Sequence, residues 1–422
     1  MNPAPSKSRT VKFFTLGCKA NQYDTQSIRE RFLSKGFREH FGYKLPDCFL
    51  VNTCTVTAGA DQKSRNIIRR CIHANPKAKV IVTGCLVEND WQSLMEIKGI
   101  GLIIKKSFFP EGISSFSQHA RAFLKIQDGC SNFCTYCKVA LVRGRQRSKK
   151  LPKIILEAEK LVACGYKEIV LTGICLGAYG DDLYPKKSLI DVVDSLEKIT
   201  GLLRIRLSSI EAGDLSPSLV KRLETSRKFC RHMHIPIQSG DDLILKMMNR
   251  KYTRRKYIDL ITGLKRKIPH LSITTDCLVG FPGETEENFR NTAELIKEIK
   301  PLKVHIFPYS KREGTAAAKF GGSVKPEIIS ARCKQLEDIA YDCRINFMRK
   351  FLSKQAYVLI ECRSKSDPDF WEGLTDNYLP VKLAFKPGLM NKVVRVALRR
   401  MNQDCLIGEY IDNSKIKCRI KL

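Results

Sequence analysis

FLKIQDGCSNFCTYC, residues 123–137, runs an apolar segment straight into three closely spaced cysteines. FLKIQ (123–127) reads as a buried strand. After it, Cys130 and Cys134 stand four apart, and Cys134 and Cys137 three apart. Structural zinc sites and complete cluster sites take four protein ligands. A zinc ribbon would show two CxxC pairs, an arrangement this chain lacks. Three thiolates on a four-iron cluster instead leave one iron open to a non-protein ligand.

The strand before this loop opens a series. EIVLTGI (168–174), RIRLSSI (204–210), HMHIPIQ (232–238), SITTDCLVGF (272–281) and KVHIFPY (303–309) are further candidate strands, with helical stretches such as LPKIILEAEKLVACG between them. Six strand–helix units predict a partial (β/α)6 barrel, and the cysteine loop falls where barrel active sites fall, after the first strand.

Upstream, VKFFTLG (11–17), CFLVNTC (48–54), VIVTGC (80–85) and GLIIK (101–105) also read as buried strands. Between the first two, Ile28, Phe32 and Leu33 mark the face of a helix closed by Gly36. This alternation predicts a doubly wound parallel sheet. Cys18 follows its strand, while Cys54 and Cys85 end theirs. Ligands of such sheets bind outside the carboxyl ends of the strands, so these three thiols form a second candidate metal site. Cys48 and Cys71 lack that placement and are assigned to the core. In the last 70 or so residues QAYVLIEC, YLPVKLAF, KVVRVALRR and CLIGEYI have no helical stretch between them, which predicts a small five-stranded antiparallel barrel.

The chain has 422 residues, enough for two or three domains, and no apolar run long enough for a membrane helix. The start MNPAPSKSRT is unlike a secretory signal, so a cytoplasmic location is expected. Net charge is +31, and the excess is clustered: seven basic residues and no acid lie between Lys138 and Lys153. Nine basics against one acid lie between Ile244 and Lys267. Such clusters are the footprint of a polyanion-binding surface. Seventeen cysteines in a reducing compartment indicate soft metal ligands plus buried apolar thiols rather than disulfides.

At Cys130, Cys134 and Cys137 the chain resembles the radical S-adenosylmethionine enzymes, whose CxxxCxxC loop holds a [4Fe–4S] cluster. TLGCKANQYDT, VNTCTVT and VTGCLVE resemble the cysteine motifs of the methylthiotransferases within that group. LTGICLGAYG, RLSSIE, HIPIQSGDDLILKMMNRKYT, DCLVGFPGETEENF and HIFPYSKREGT are similar to their radical domain, and GLTDNYLPVKL to their TRAM module. LGCKANQYDT, LGAYG and FPYSKREGT look most like the type that acts on N6-threonylcarbamoyladenosine in tRNA.

The resemblance implies three domains: an amino-terminal methylthiotransferase domain (9–118), a radical domain (119–350) and a TRAM RNA-binding domain (353–422). It also implies two [4Fe–4S] clusters. One, on Cys130, Cys134 and Cys137, is catalytic, and its open iron takes S-adenosylmethionine; the other, on Cys18, Cys54 and Cys85, handles sulfur. S-adenosylmethionine serves as radical source and methyl donor. The partners implied are tRNA, a flavodoxin- or ferredoxin-like electron donor and a sulfur source, with no membrane.

Gly173, Glu211, Gln238 and Ser239 are the expected cofactor contacts, with Gly280 and Gly283 allowing close approach near the adenine. Arg143, Arg145 and Arg147 are expected to anchor RNA phosphate or the cofactor carboxylate. Ala140, Leu141 and Val142 stand where the family often carries proline, which leaves the shape of that loop open. Cys175 and Cys277 are not required by the motifs and are expected to be apolar fillers. Methylthiolation of N6-isopentenyladenosine or of a ribosomal protein is the alternative within this chemistry. A non-catalytic zinc-containing RNA-binding protein is the alternative outside it.

Overall fold

The computed structural model describes residues 9–42, 44–108, 112–117, 119–402 and 405–411. Residues 412–422 of the expected carboxy-terminal module thus lie outside the described residues. In the amino-terminal unit, β1 (Thr10–Thr15), β2 (Arg38–Glu39), β3 (Cys48–Thr53), β4 (Lys79–Gly84) and β5 (Ile100–Ile104) form one parallel sheet ordered β2-β1-β3-β4-β5. Helices α1 (Lys19–Ser34), α2 (Ala58–Ala74) and α3 (Cys85–Met95) connect the strands. Every residue of β3 is buried, as expected for a strand covered on both faces. The strand order reverses between β1 and β3, which opens a crevice at their carboxyl ends. On α1, Ile28 faces inward, but Leu33 is 41% exposed, contrary to the expected face. Polar residues of α1 (Asn21, Asp24, Thr25 and Gln26) are buried instead.

The central unit contains β6 (Arg121–Lys125), β7 (Gln127–Asp128), β8 (Arg147–Ser148), β9 (Glu168–Thr172), β10 (Arg204–Leu207), β11 (His232–His234), β12 (Ser272–Val279) and β13 (Lys303–Pro308). Strands β6, β9 and β10 form one parallel sheet, and β11, β12 and β13 another. A parallel bridge between Ser209 and His234 joins the two, giving a six-stranded partial barrel. Its outer helices are α5 (Leu151–Ala163), α6 (Leu189–Glu197), α7 (Pro217–Thr225), α9 (Arg254–Lys267) and α10 (Glu286–Ile299); α4 (Val139–Arg143) and α8 (Asp242–Met247) are short. The amino-terminal unit reaches both edges of this barrel. Its α1 packs against β6. Beyond β13, the Nη2 of Arg312 donates to the Thr55 carbonyl at 3.2 Å.

Helix α11 (Pro326–Arg349) leads to β14 (Gln355–Arg363), β15 (Phe370–Thr375), β16 (Pro380–Ala384), β17 (Val393–Met401) and β18 (Leu406–Tyr410). They close into a barrel ordered β14-β15-β16-β18-β17. β15 escapes the sequence pattern because Glu372 and Gly373 are poor strand formers and only its pairing to β14 shows the alternation.

This small barrel docks on the beginnings of the parallel strands. Arg204 donates to the carbonyls of Tyr357 and Leu374 at 2.7 and 3.0 Å, and Arg206 to that of Asp376 at 3.0 Å. His232 stacks on Tyr378 with ring centroids 4.3 Å apart. Arg206 also donates to fully buried Glu168 at 2.6 Å. Burial opposes the Glu168 charge, but Arg206 outweighs it and holds the carboxyl down to about 2. A depressed carboxyl stabilises the fold fully above its ordinary pKa, and that stability is lost as pH falls through the folded value. Unfolding free energy therefore drops by about 3 kcal/mol between pH 4.5 and pH 2 from this group alone. Denaturant titrations at several pH values check this: Glu168→Gln should flatten that part of the profile, and an unchanged slope would remove Glu168 from the account.

Candidate active site

Gln127 ties the cysteine loop to the barrel. Its Nε2 donates to the Gly129 carbonyl at 2.8 Å, and its Oε1 accepts from the amides of Ile174 and Cys175 at 2.9 and 2.8 Å. One side chain thus holds the loop after β7 and the Gly173 loop after β9 together. Within the cysteine loop each sulfur receives an N–H. The amide of Asn132 donates to Cys130 Sγ at 3.5 Å, that of Val139 to Cys137 Sγ at 3.4 Å, and Arg250 Nη1 to Cys134 Sγ at 3.4 Å. Burial pushes the Cys137 thiol up to about 11 and also raises Cys134. At these two the bare thiolate is therefore disfavoured, while the N–H donors suit thiolates whose charge a metal takes up. This donor set fits an iron–sulfur cluster.

The upstream cysteines meet at the sheet crevice. Cys18 caps α1 and Cys85 begins α3, so both lie at helix N-termini, whose partial positive charge suits an anionic group bound there. Cys54 follows β3. Gly84 has φ +102°, and a Cβ there would lie 2.4 Å from the Asn52 Oδ1 and Thr53 carbonyl, so only glycine permits this turn into Cys85. At Gly17, φ +98°, a Cβ would come within 3.1 Å of Cys54 Sγ. Lys106 Nζ donates to Cys85 Sγ at 2.9 Å. Burial, reinforced by the charges of Cys85 and Cys18, pushes the Cys54 thiol up to about 11. Three mutually interacting thiols in cationic surroundings fit a second anionic cluster.

Cys18, Cys54 and Cys85 line a cavity of about 600 Å³ that continues into the barrel, past Gly173, Ser208, His234 and Asp276 to His232 and Tyr378. Its volume lies within the range of small-molecule sites. His234, Asp276 and His305 bring ligand atoms within 4.8 Å of one another on its wall. His234 hydrogen-bonds Thr274 through Nδ1 at 2.8 Å and approaches Asp276 through Nε2 at 3.2 Å. Adjacent strands place this trio, so no sequence motif marks it.

Among the expected cofactor contacts, Glu211 is paired with Arg250, which links it to Cys134. Arg250 was missed; it lies in a basic run that gave no sign of pointing inward. Gln238 adopts φ +67°, a strained conformation for a non-glycine residue, held by its backbone N–H, which donates to the Asp276 carbonyl at 2.8 Å. Ser239 departs from expectation. It is 1% exposed, and its hydroxyl accepts from the Asp241 amide at 3.2 Å and meets Thr292 at 3.4 Å, so it braces the fold.

Arg143 also departs. It ends α4, the short helix formed by the Ala140–Val142 segment, and turns inward. Its guanidinium donates to Asp128 at 2.7 Å and to Asn21 and Asp24 of α1, which leaves no face for RNA phosphate. Arg145 and Arg147 are exposed beside it. Cys175 is not a filler. Its Sγ accepts from the Asn132 side chain of the cysteine loop at 3.5 Å and donates to Asp214 at 3.8 Å. Cys277 is fully buried in the core, as are Cys48 and Cys71 in theirs.

Residues 124–296 match the radical SAM superfamily, and residues 10–104 match a family described as uncharacterized protein family UPF0004. The threonylcarbamoyladenosine tRNA methylthiotransferase MtaB of Bacillus subtilis (strain 168) is 35% identical over 436 residues, covering 95% of this chain and 96% of its own. That of Chlamydia pneumoniae is 35% identical, covering 95% and 98%. The chain belongs to the radical SAM tRNA methylthiotransferase family. A tRNA-2-methylthio-N(6)-dimethylallyladenosine synthase of Desulfitobacterium hafniense (strain Y51) is 32% identical, covering 96% and 97%. Among solved structures, the radical S-adenosylmethionine methyltransferase TsrM of Kitasatospora setae aligns with TM-score 0.53 at 15% identity, covering 71% of this chain and 73% of that one, a likeness of fold. S-adenosylmethionine and a [4Fe–4S] cluster are the cofactors this membership carries for the methylthiotransferase. Among its described residues no helix is long and apolar enough to cross a membrane.

Proposed function

We propose that this methylthiotransferase converts N6-threonylcarbamoyladenosine beside the tRNA anticodon to its 2-methylthio derivative. The observation that carries the reading is full-length similarity to relatives named for that nucleoside, at 35% identity against 32% for one named for the dimethylallyl nucleoside. The polar cavity wall of Ser208, Thr274, His234 and Asp276 supports it, since a dimethylallyl group offers nothing to hydrogen-bond.

In this reading Cys130, Cys134 and Cys137 hold the radical cluster, and Cys18, Cys54 and Cys85 a second [4Fe–4S] cluster. When bound, the two supply reductive cleavage of S-adenosylmethionine and a place for the transferred sulfur. The chain's own residues do the positioning. Gln127 holds the Gly173 loop against the cysteine loop, and Arg250 fixes Glu211 at its edge. Tyr378 and His232 close the cavity from below. Arg145 and Arg147, exposed beyond the cysteine loop, bind tRNA phosphate together with the carboxy-terminal barrel. Electrons come from a flavodoxin- or ferredoxin-like donor. Mass spectrometry of tRNA nucleosides from a deletion strain tests the substrate. Loss of 2-methylthio-N6-threonylcarbamoyladenosine on deletion, with recovery on complementation, is expected. Loss of the 2-methylthio isopentenyl nucleoside in its place would reverse the reading.

A further inference from the structure

The cavity has cationic and hydrogen-bonding groups that sulfur insertion at C2 does not call for. Lys19, the first residue of α1, lines the cavity next to Cys18. Burial and the neighbouring Arg121 and Arg206 all work against its ammonium, while Tyr378 and Cys18 favour it. Arg121 and Arg206 have partners of their own in Glu361 and Glu168. Among the described residues, Lys19 makes no ion pair. Two further groups are orphaned in the same lining. His232 Nδ1 and Ser208 Oγ are buried without a hydrogen-bond partner, in residues 5% and 4% exposed.

An ammonium without an ion pair and two unpartnered polar atoms carry a desolvation cost that a ligand meeting them offsets. That ligand must be anionic and hydrogen-bonding. It must meet these groups while the same molecule faces Cys18, Cys54 and Cys85 in the same cavity. An adenine with C2 turned to those thiols directs its N6 substituent away from them, into the barrel.

We propose that Lys19 is the specificity residue for the target nucleoside. It pairs with the carboxylate of the N6-threonylcarbamoyl group, while His232 and Ser208 hydrogen-bond its hydroxyl and ureido groups. This rests on the substrate reading above and adds the residues that enforce it. An isopentenyl group brings no charge, so it would leave the Lys19 ammonium desolvated and unpaired; the lysine therefore also rejects the wrong nucleoside.

The test uses the reconstituted holoenzyme and anticodon stem-loop RNAs that carry N6-threonylcarbamoyladenosine, its neutral threoninamide analogue, or N6-isopentenyladenosine. Wild type should favour the acid over the amide by about 30-fold in kcat/KM, the scale of a buried hydrogen bond to a charged group. Lys19→Met should lose about that factor on the acid RNA and little on the amide. Lys19→Arg should recover most of the preference. RNA affinity measured by fluorescence anisotropy should follow the same pattern. Equal wild-type turnover of acid and amide overturns the role of Lys19 while leaving the substrate reading intact, as does a Lys19→Met variant that keeps the acid preference. Thiolation of the isopentenyl RNA alone overturns both.

Discussion

Cys130→Ala removes S-adenosylmethionine cleavage, whereas Cys54→Ala leaves cleavage measurable and stops sulfur insertion. Cys130 belongs to the loop that Gln127 clamps to the Gly173 turn, and its Sγ accepts the Asn132 amide. In the proposed reading the three thiolates act there as one unit, so loss of any one should cost at least about 1,000-fold in 5′-deoxyadenosine formation. Cys54 stands in the other unit, at the β1–β3 crevice, and its removal does not touch that loop. Iron analysis after anaerobic reconstitution should give about eight irons per wild-type chain and about four in each variant. Liquid chromatography of 5′-deoxyadenosine and of the nucleoside product separates the two roles. Thiolated product from Cys54→Ala would remove the upstream cysteines from sulfur handling.

The second large effect is on stability and comes from Arg143. Its guanidinium lies between Asp24 of the amino-terminal unit and Asp128 of the barrel, with Lys125 bonded to both carboxylates. Burial opposes the charge on Asp128, but Lys125 and Arg143 outweigh it and hold the carboxyl far below the usual range. Breaking such a network from one side strands buried charge, so Arg143→Ala should destabilise the protein by about 3–5 kcal/mol. Arg145→Ala, at an exposed position, should stay within about 0.5 kcal/mol of wild type. It should instead reduce the salt slope of tRNA binding by about 1. Denaturant unfolding and salt titrations of tRNA affinity measure both. If Arg143→Ala kept full stability and lost salt slope, the arginine would return to the phosphate role the sequence suggested.

Those two arginines show how far local sequence reaches. VRGRQRSK is uniformly basic, and nothing in it separates a side chain that enters a domain interface from its neighbours two and four residues on. Asp24 and Asn21, which draw Arg143 inward, lie more than a hundred residues away on another unit. The same holds for Cys175. Its neighbours read as a strand end, and only the fold of the Gly173 loop brings it against Asn132 of the cysteine loop. Leu33 fits a helical period yet is exposed, because α1 buries its polar flank against the barrel rather than a symmetric apolar stripe.

By itself, the sequence determined what depends on period and short spacing. Alternating apolar runs and helical stretches specify parallel strands, and a strand leading into three cysteines specifies a cluster loop at its carboxyl end. Cysteines at three other strand ends specify a second candidate site, because parallel strands bring such ends together. The tertiary structure decided what depends on elements distant in the chain. It joined the Cys18, Cys54 and Cys85 crevice to the barrel interior in one cavity and closed that cavity with Tyr378 from the last domain. It also placed Lys19 within reach of Arg121, Arg206 and Tyr378. Those residues come from four separate segments, and only packing among the three units sets where their side chains meet.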